Sequence, residues 1–583
     1  MTDELREKCA IGFIRWRNEP PMEAPFRLLL LMEKQHNRGQ DGGGIVIIDP
    51  EARPGKDYIF QAKSISQRPI AHLFAQVEKN RNHPAIRGKI MVGHLRYGTY
   101  GGYSTETIQP IIIPGLRRHE TLIFGGNFNL TNVNDLIRRL IDKGIHPPFT
   151  TDTQIIALGI SANLHKGSNL IDALREEALH WDGGWAFVGS TGDGYTFIFR
   201  DPHGIRPAFF VITDSFIAGA SERPALITAL GVTIDQIKEV PPGYALVIDP
   251  TGNIEVEEIL LPKQYTGCSF ERIYFSRGSD PDIYEERLLL GKELAKPVLD
   301  ALDWDVHNAW FTYVPNTAET AFYGLIKEAE ELVFKKWLEE EKVSSPAEAF
   351  TRYMSQFRVR VAKLLYKDQK MRTFITREDA RSDLVAHVYD VTYGIIDEGD
   401  TIVVIDDSIV RGTTLKNTLL RLLSRLNPGH IVMVSSAPQI RYPDFYGIDM
   451  SRLSELIAFR AAIELLKERK MEHVIEDVYQ QCVDMEGKPD SDIYNAVKQI
   501  YKPFSAEEIS EKIAELVKPP EMTARLTIVY QSIEGLHSAI SKNTGDWYFT
   551  GDYPTPGGIR MVNRAFIQFV NNETEKRPYD VEI

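Results

Sequence analysis

The sequence predicts an α+β front half of packed antiparallel sheets joined to an α/β rear half. From Cys9 to about residue 260 of 583 the chain is mostly short apolar strands: "CAIGFIRW", "GGIVIID", "KIMVGHLRYGTY", "TLIFGGNF", "GWAFVGS", "YTFIFR", "AFFVIT" and "YALVID". Helical patterns fall near 133–143 and 153–165. Clustered strands with few helices favour packed antiparallel sheets over a wound unit. After "LLPKQYTGCSFERIYFSR" the character changes. Residues 284–297 and 345–366 read as amphipathic helices, and "DTIVVIDD" is an apolar strand followed by a loop and a helix. On that helix Leu415, Leu419, Leu422, Leu423 and Leu426 share one face. Residues 453–517 are strongly helical and charged, and the tail from about 524 is mixed.

Composition narrows the class. Apolar residues make up 43% and charged residues 25%, the balance of a soluble globular protein. No apolar run approaches the roughly 20 residues that span a bilayer. "MTDELREK" is too short and too acidic for a signal peptide. The net charge of -14 opposes a nucleic-acid footprint, because phosphate backbones demand a basic surface. An anionic ligand must then be held by loops and helix ends. Three widely spaced cysteines, Cys9, Cys268 and Cys482, make no disulfide framework and fit a reducing cytoplasm. Taken alone, Cys9 entering a strand reads as a small buried apolar residue.

The stretch "TIVVIDDSIVRGTTLKNTLLRLL" carries the most chemistry. Its apolar strand delivers Asp406 and Asp407 at the carboxyl end, where open α/β sheets bind ligands. Ser408 to Thr414 combine small hydroxyls, a glycine and Arg411 ahead of a helix start. Backbone N–H groups there, with the Thr413 and Thr414 hydroxyls, make a phosphate cradle. The two carboxylates suit ribose hydroxyls and a hydrated Mg2+. The string resembles the phosphoribosyl pyrophosphate (PRPP) loop of type I phosphoribosyltransferases. That resemblance makes Asp406, Asp407, Ser408, Arg411, Gly412, Thr413 and Thr414 PRPP-binding residues.

The front half resembles class II glutamine amidotransferases. "KQHNRGQDGGGIVI" is similar to their "HRGQD" signature with Asn37 as an extra residue, "GHLRYGTYG" to the segment whose Arg grips the glutamine α-carboxylate, and "GGNFNLTN" to "HNGNLTN". The resemblance implies Arg96, Arg38 and Asp152 (in "TDT") as glutamine-binding residues, Cys9 as nucleophile, and Asn127 with Phe128 at the oxyanion. Bidentate guanidinium–carboxylate pairing and amide donors at an oxyanion supply the physical sense of those roles. "FRDPHGIRPAFF", "ASERPAL", "CSFERIYFSR" and "SSAPQIRYPDFYGIDM" follow in the order seen in amidophosphoribosyltransferases. The likeness is to the long, Bacteroidetes-type branch with "MEKQHNRGQ" and "GNFNLTN".

This resemblance implies an N-terminal-nucleophile αββα sandwich over 9–262, preceded by a propeptide over 1–8. An α/β type I phosphoribosyltransferase domain follows over 263–460 with 524–583, and 461–523 is a helical insertion. It reads as a solvated or subunit-contact embellishment. The implied activity is glutamine-dependent conversion of PRPP to 5-phosphoribosylamine, glutamate and pyrophosphate, the first committed step of purine biosynthesis. Cys9 would use its own freed α-amine as base. Mg2+, purine nucleotide feedback inhibitors, a dimer or tetramer and a cytoplasmic setting are implied as well.

Several residues depart from the pattern. Phe128 stands for a glycine, Gly98 for a serine and Asn316 for an acid in "VPNTAET", which leaves Thr317 as a candidate metal contact. Of the mobile basic loop only "RTFI" remains, with Arg372 as its PRPP contact. The four [4Fe–4S] ligand positions read Cys268, Asp444, Gly545 and Tyr548, so no iron–sulfur cluster is expected. An ammonia-dependent transferase with a decayed glutaminase site, and a regulatory PRPP- or nucleotide-binding pseudoenzyme, are the competing readings.

Overall fold

The computed structural model describes residues 9–66, 68–96, 105–340, 345, 347, 351, 359–367, 389–542, 545–573 and 577–579. Among the described residues thirteen front-half strands run in chain order. They are β1 (Cys9–Trp16), β2 (Gly42–Ile48), β3 (Ile59–Ser64), β4 (Ile90–Arg96), β5 (Ile111–Ile113), β6 (Leu122–Leu130), β7 (Gly183–Thr191), β8 (Thr196–Arg200), β9 (Phe209–Ile212), β10 (Phe216–Ala220), β11 (Ile237–Glu239), β12 (Tyr244–Ile248) and β13 (Ile254–Glu258). They form two antiparallel sheets of order β11-β9-β10-β1-β4-β2-β3 and β13-β12-β8-β7-β6-β5.

The period-2 alternation of the strands sorts their side chains between layers. Ile11, Phe13, Val46, Val92, Ile123, Val188 and Leu246 fill the space between the sheets. Ile14, Trp16, Ile45, Ile47 and Met91 turn outward to the helices Ala24–Glu33, Pro69–Lys79 and Arg223–Leu230. On the far side Phe124, Phe128, Phe187 and Phe199 meet the helices Val133–Asp142, Asp152–His165 and Leu170–Ala178. The result is the expected helix–sheet–sheet–helix sandwich.

The rear half is built on a parallel sheet. Its strands are β14 (Ala309–Tyr313), β15 (Arg360–Val361), β18 (Thr401–Asp406), β19 (His430–Ser435) and β20 (Arg525–Tyr530), in the order β15-β14-β18-β19-β20. A small antiparallel ribbon pairs β16 (Leu365–Lys367) with β17 (Tyr389–Val391). Ile402, Val404, Ile431 and Met433 pack on one face, Val403, Ile405, Val432 and Val434 on the other. Both faces are covered, as a parallel sheet requires.

One element differs from expectation. Of the helix expected over 345–366, residues 360–361 and 365–367 are extended instead. Arg360 and Val361 lie parallel to Trp310 and Phe311, so pairing at the open sheet edge overrides local helical periodicity. Residues 263–268 run back along the front half, with Lys263, Thr266 and Cys268 N–H groups bonded to the carbonyls of Pro202, His203 and Ile205.

Candidate active sites

Cys9 starts β1, buried, on the face that looks into the sandwich. Its register partner across the ladder is Arg96, the last residue of β4, and Gly42 of β2 lies beyond Arg96. Arg96 is half-buried and donates to Thr107 Oγ1 at 2.6 Å. Asn127, wholly buried, stands in the facing sheet with its side chain on the inner side, since Phe124 and Phe128 turn outward. Asp152 opens the helix Asp152–His165, and its Oδ1 accepts the Thr153 N–H at 3.0 Å. Four elements, β1, β4, β6 and the helix Asp152–His165, thus carry Cys9, Arg96, Asn127 and Asp152.

Phe128 does not obstruct these residues. Its ring packs edge-on to Phe187, with centroids 4.8 Å apart, in the helix-facing layer. Only its backbone N–H is offered to the inner edge, so the exchange of glycine for phenylalanine fills a core rather than the site.

Arg38 requires correction as a glutamine ligand. Its side chain is fully buried, with Nε 2.5 Å from Glu222 Oε1 and Nη1 and Nη2 at 3.2 and 2.7 Å from the Glu271 carboxylate. Glu271 also meets Arg206 Nη1 at 3.4 Å, and Arg206 donates to the Tyr446 carbonyl at 3.0 and 2.6 Å. A guanidinium committed to two carboxylates serves as a joint between the halves. Asn129, two residues beyond Asn127, adds a 2.7 Å bond from Nδ2 to the Phe445 carbonyl.

In the rear half, β18 ends at Asp406, and the acids are set by their own loop. Asp406 Oδ1 accepts the Asp407 N–H at 2.9 Å, and Asp407 Oδ1 accepts Ser408 Oγ at 3.0 Å. Gly412 has φ +74, which a side chain would strain. A Cβ there would also fall 2.8 Å from Val517. Thr413 and Thr414 follow at the helix start, exposed and half-buried respectively. Thr317 lies in the loop after β14, which neighbours β18 in parallel register, so both loops leave adjacent carboxyl strand ends. Arg411, by contrast, turns away: Nε and Nη2 meet Glu455 Oε2 at 2.9 and 2.8 Å, and Nη2 donates to the Asp449 carbonyl. Its guanidinium thus anchors the loop, while its backbone stays part of the Ser408–Thr414 turn. Arg372 and residues 1–8 lie outside the described residues.

Arg287 is a residue that sequence reasoning missed. It is buried on the helix Pro281–Glu293, bonds to the Arg272 and Ser276 carbonyls, and senses Asp407 first and Glu222 next among its acids. Burial lowers its affinity for a proton to about 10. The available signal was a charge on the apolar stripe with Ile283 and Leu290.

The insertion is also more than a solvated embellishment. Val517 of the insertion, beside Ile457 from just ahead of it, closes on Gly412, and Lys416 Nζ donates to the Leu516 carbonyl at 2.9 Å. Gln439 Nε2 bonds to the Ala506 carbonyl and Ser510 Oγ.

Among the described residues no three His, Cys, Asp or Glu side chains group as a metal cluster. Asp406 and Asp407 still suit Mg2+, which keeps its waters and takes one or two protein carboxylates plus substrate oxygens. The iron–sulfur positions do converge, but their donors do not suit a cluster. Tyr548 Oη touches Cys268 Sγ at 3.5 Å, Ser269 Oγ and the Phe270 N–H at 2.8 Å, and donates to the Gly545 carbonyl at 3.0 Å. Asp444 accepts three backbone N–H groups and Trp547 Nε1. Burial pushes the lone Cys268 thiol up to about 12, and the other three positions offer a carboxylate, a glycine and a phenol in place of the cysteine thiolates of a [4Fe–4S] site. Tyr548→Phe is expected to cost about 1–3 kcal/mol by orphaning these partners. Thermal unfolding should show a lower Tm.

No family model matches the chain. It is 29% identical over 470 residues to the amidophosphoribosyltransferase of Bacillus subtilis, covering 80% of this chain and 86% of that one. It is 27% identical over 442 residues to that of Archaeoglobus fulgidus, covering 74% and 84%. The fold matches a B. subtilis glutamine PRPP amidotransferase structure, complexed with ADP and GMP, at TM-score 0.65 and 26% identity, covering 94% and 97% of the two chains. A structure described as the allosteric regulatory enzyme of purine biosynthesis matches at TM-score 0.66 and 25% identity, covering 94% and 96%. Relatives that span both halves, together with a sandwich carrying Cys9 opposite Arg96 and a parallel sheet delivering Asp406 and Asp407, make this chain similar along both halves to the amidophosphoribosyltransferases.

Proposed function

We propose that Cys9 releases ammonia from glutamine and that the Asp406–Asp407 loop directs it onto PRPP, yielding 5-phosphoribosylamine. The observation that carries this reading is the register of Cys9 with Arg96 in a sandwich whose facing strand holds Asn127. Arg96 pairs with the glutamine α-carboxylate and Asp152 with its α-ammonium, which fixes the side-chain amide over Cys9. The Cys9 sulfur attacks the amide carbon while Asn127 Nδ2 and the Phe128 N–H hold the developing oxyanion. The C–N bond breaks, ammonia leaves with a proton from the α-ammonium of a processed Cys9, and water then splits the thioester to glutamate.

At the second site Asp406 and Asp407 orient the ribose hydroxyls, and the backbone from Ser408 to Thr414 holds the 5-phosphate. Asp406, Asp407 and Thr317 would hold Mg2+, which would supply charge neutralisation for the pyrophosphate leaving group. Ammonia forms the C1–N bond as the C1–O bond breaks, and the extra proton passes to solvent. The Asn129–Phe445 and Arg206–Tyr446 contacts join the two halves that carry these sites.

No helix among the described residues is long and apolar enough to cross a membrane. The reading adds a cytoplasmic setting, a homo-oligomer and purine nucleotides as regulators, the last supported by the ADP and GMP of the B. subtilis structure. Pyrophosphate release measured with glutamine and then with ammonium salt tests the reaction. Comparable release from both is expected. Release with ammonium alone would mean an idle glutaminase half, and release with neither would refute the proposal.

A further inference from the structure

A chain of buried polar side chains ties together the three elements that read glutamine. Strand β5 pairs only with residues 122–124 of β6. Beyond Phe124 that edge of β6 has no strand neighbour among the described residues, although its backbone is buried. In an antiparallel strand one residue's N–H and C=O point to the same edge. Buried backbone groups demand partners, and at Gly126 side chains supply both. Gly126 N–H donates to Gln109 Oε1 at 2.7 Å, and His94 Nε2 lies 3.1 Å from the Gly126 carbonyl.

The remaining atoms extend the chain in two directions. Gln109 Nε2 donates to Thr153 Oγ1 at 3.0 Å, and Thr153 adjoins Asp152, whose carboxylate holds the Thr153 N–H. His94 sits on β4 two residues before Arg96, on the same inward face, and is fully buried. A carbonyl can only accept, so the imidazole proton lies on Nε2. Burial holds His94 neutral, its proton affinity lowered to about 3, with the Arg96 charge adding to the effect. The contact is thus insensitive to pH in the range where enzymes work.

We infer that Gln109 and His94 are positioning residues of the glutaminase site: they hold the N–H and the carbonyl of Gly126, the residue before Asn127, and link it to Asp152 and Arg96. This rests on the reading of Asn127 and Asp152 given above. Neither residue touches glutamine. His94 sets where the Asn127 amide and Phe128 N–H stand relative to the oxyanion. The Gln109–Thr153 bond sets the start of the helix that presents Asp152.

The two links predict a division that a general packing role would not produce. In the full chain Thr153→Val cuts only the helix link and is expected to raise the glutamine KM about fivefold with kcat nearly unchanged, since it loosens ground-state binding. His94→Leu cuts only the strand link. It is expected to lower glutamine kcat roughly 10- to 100-fold with little change in KM, because misplaced oxyanion donors act in the transition state. Gln109→Leu should do both. His94→Gln, which restores a donor near Nε2, should recover most of kcat and keeps the test alive if His94→Leu folds poorly.

Ammonia-driven phosphoribosylamine formation should be the same in all four variants and reports that the chain is folded. Parallel changes of kcat and KM across the variants, equal losses on ammonia and glutamine, or no change at all would overturn the inference. An unmodified chain that uses ammonia but not glutamine would overturn the site reading itself, and the positioning roles with it.

Discussion

Cys9→Ala is expected to abolish glutamine-driven phosphoribosylamine formation, by at least about 1,000-fold, while the ammonia-driven rate stays within about twofold. The size follows from the chemistry: without the sulfur no covalent intermediate forms, and water attacking a primary amide directly faces a far higher barrier. The spared ammonia rate follows from the fold. Cys9 lies at the end of β1 in a sandwich with its own interior, and one sulfur removed there leaves the parallel sheet intact. Two assays on one preparation, glutamate release and pyrophosphate release, check both halves of the expectation. Intact mass on active protein adds the state of the start: loss of residues 1–8 should accompany glutaminase activity, because only a free α-amine can serve as base. Full glutaminase activity on an unshortened chain would rule out that amine.

Glu271→Leu is expected to be the most destabilising of the single changes considered, costing about 3–5 kcal/mol. Its carboxylate, 3% exposed, faces Arg38 and Arg206 together and also accepts from Ser276 Oγ at 3.3 Å. Removing the acid leaves two buried guanidinium groups sharing fewer anions. Removing one side of a buried ion group costs far more than the intact group contributes. By contrast, Glu78→Ala breaks an exposed pair with Arg81, where the expected loss is under about 1 kcal/mol. Denaturant midpoints of the two variants measured side by side check the contrast. Because Arg38 belongs to the front half and Arg206 reaches the Tyr446 carbonyl of the rear half, Glu271→Leu should also lower the glutamine-driven rate more than the ammonia-driven one.

Much of the architecture was legible because apolar periodicity is a local record of burial. The runs around Ile11, Val46 and Val92 are continuously apolar and buried at nearly every position, as strands covered on both faces are, and "TIVVIDD" reads as an apolar strand of the same kind. What was not legible depends on partners distant in sequence. Arg38 sits inside a recognisable signature, yet its role is decided by Glu222 and Glu271, 184 and 233 residues away. Arg411 likewise belongs to a phosphate-loop string, while Glu455, 44 residues on, claims its charge. Residues 360–361 had helical periodicity but met an open sheet edge. Gln109 carried no motif at all, because its importance lies in the short length of β5 and the unpaired backbone that this leaves.

The packing of Val517 and Ile457 against Gly412 has a consequence for affinity. A phosphate loop that must order itself around its ligand loses conformational entropy at every binding event, roughly 1–2 kcal/mol for each backbone residue frozen. Here the left-handed turn at Gly412 is wedged by two apolar side chains, and Lys416 is pinned to the end of the helix Ala506–Val517. That ordering is met once, when the chain folds. The insertion therefore acts as preorganisation, holding the cradle in shape before any phosphate arrives.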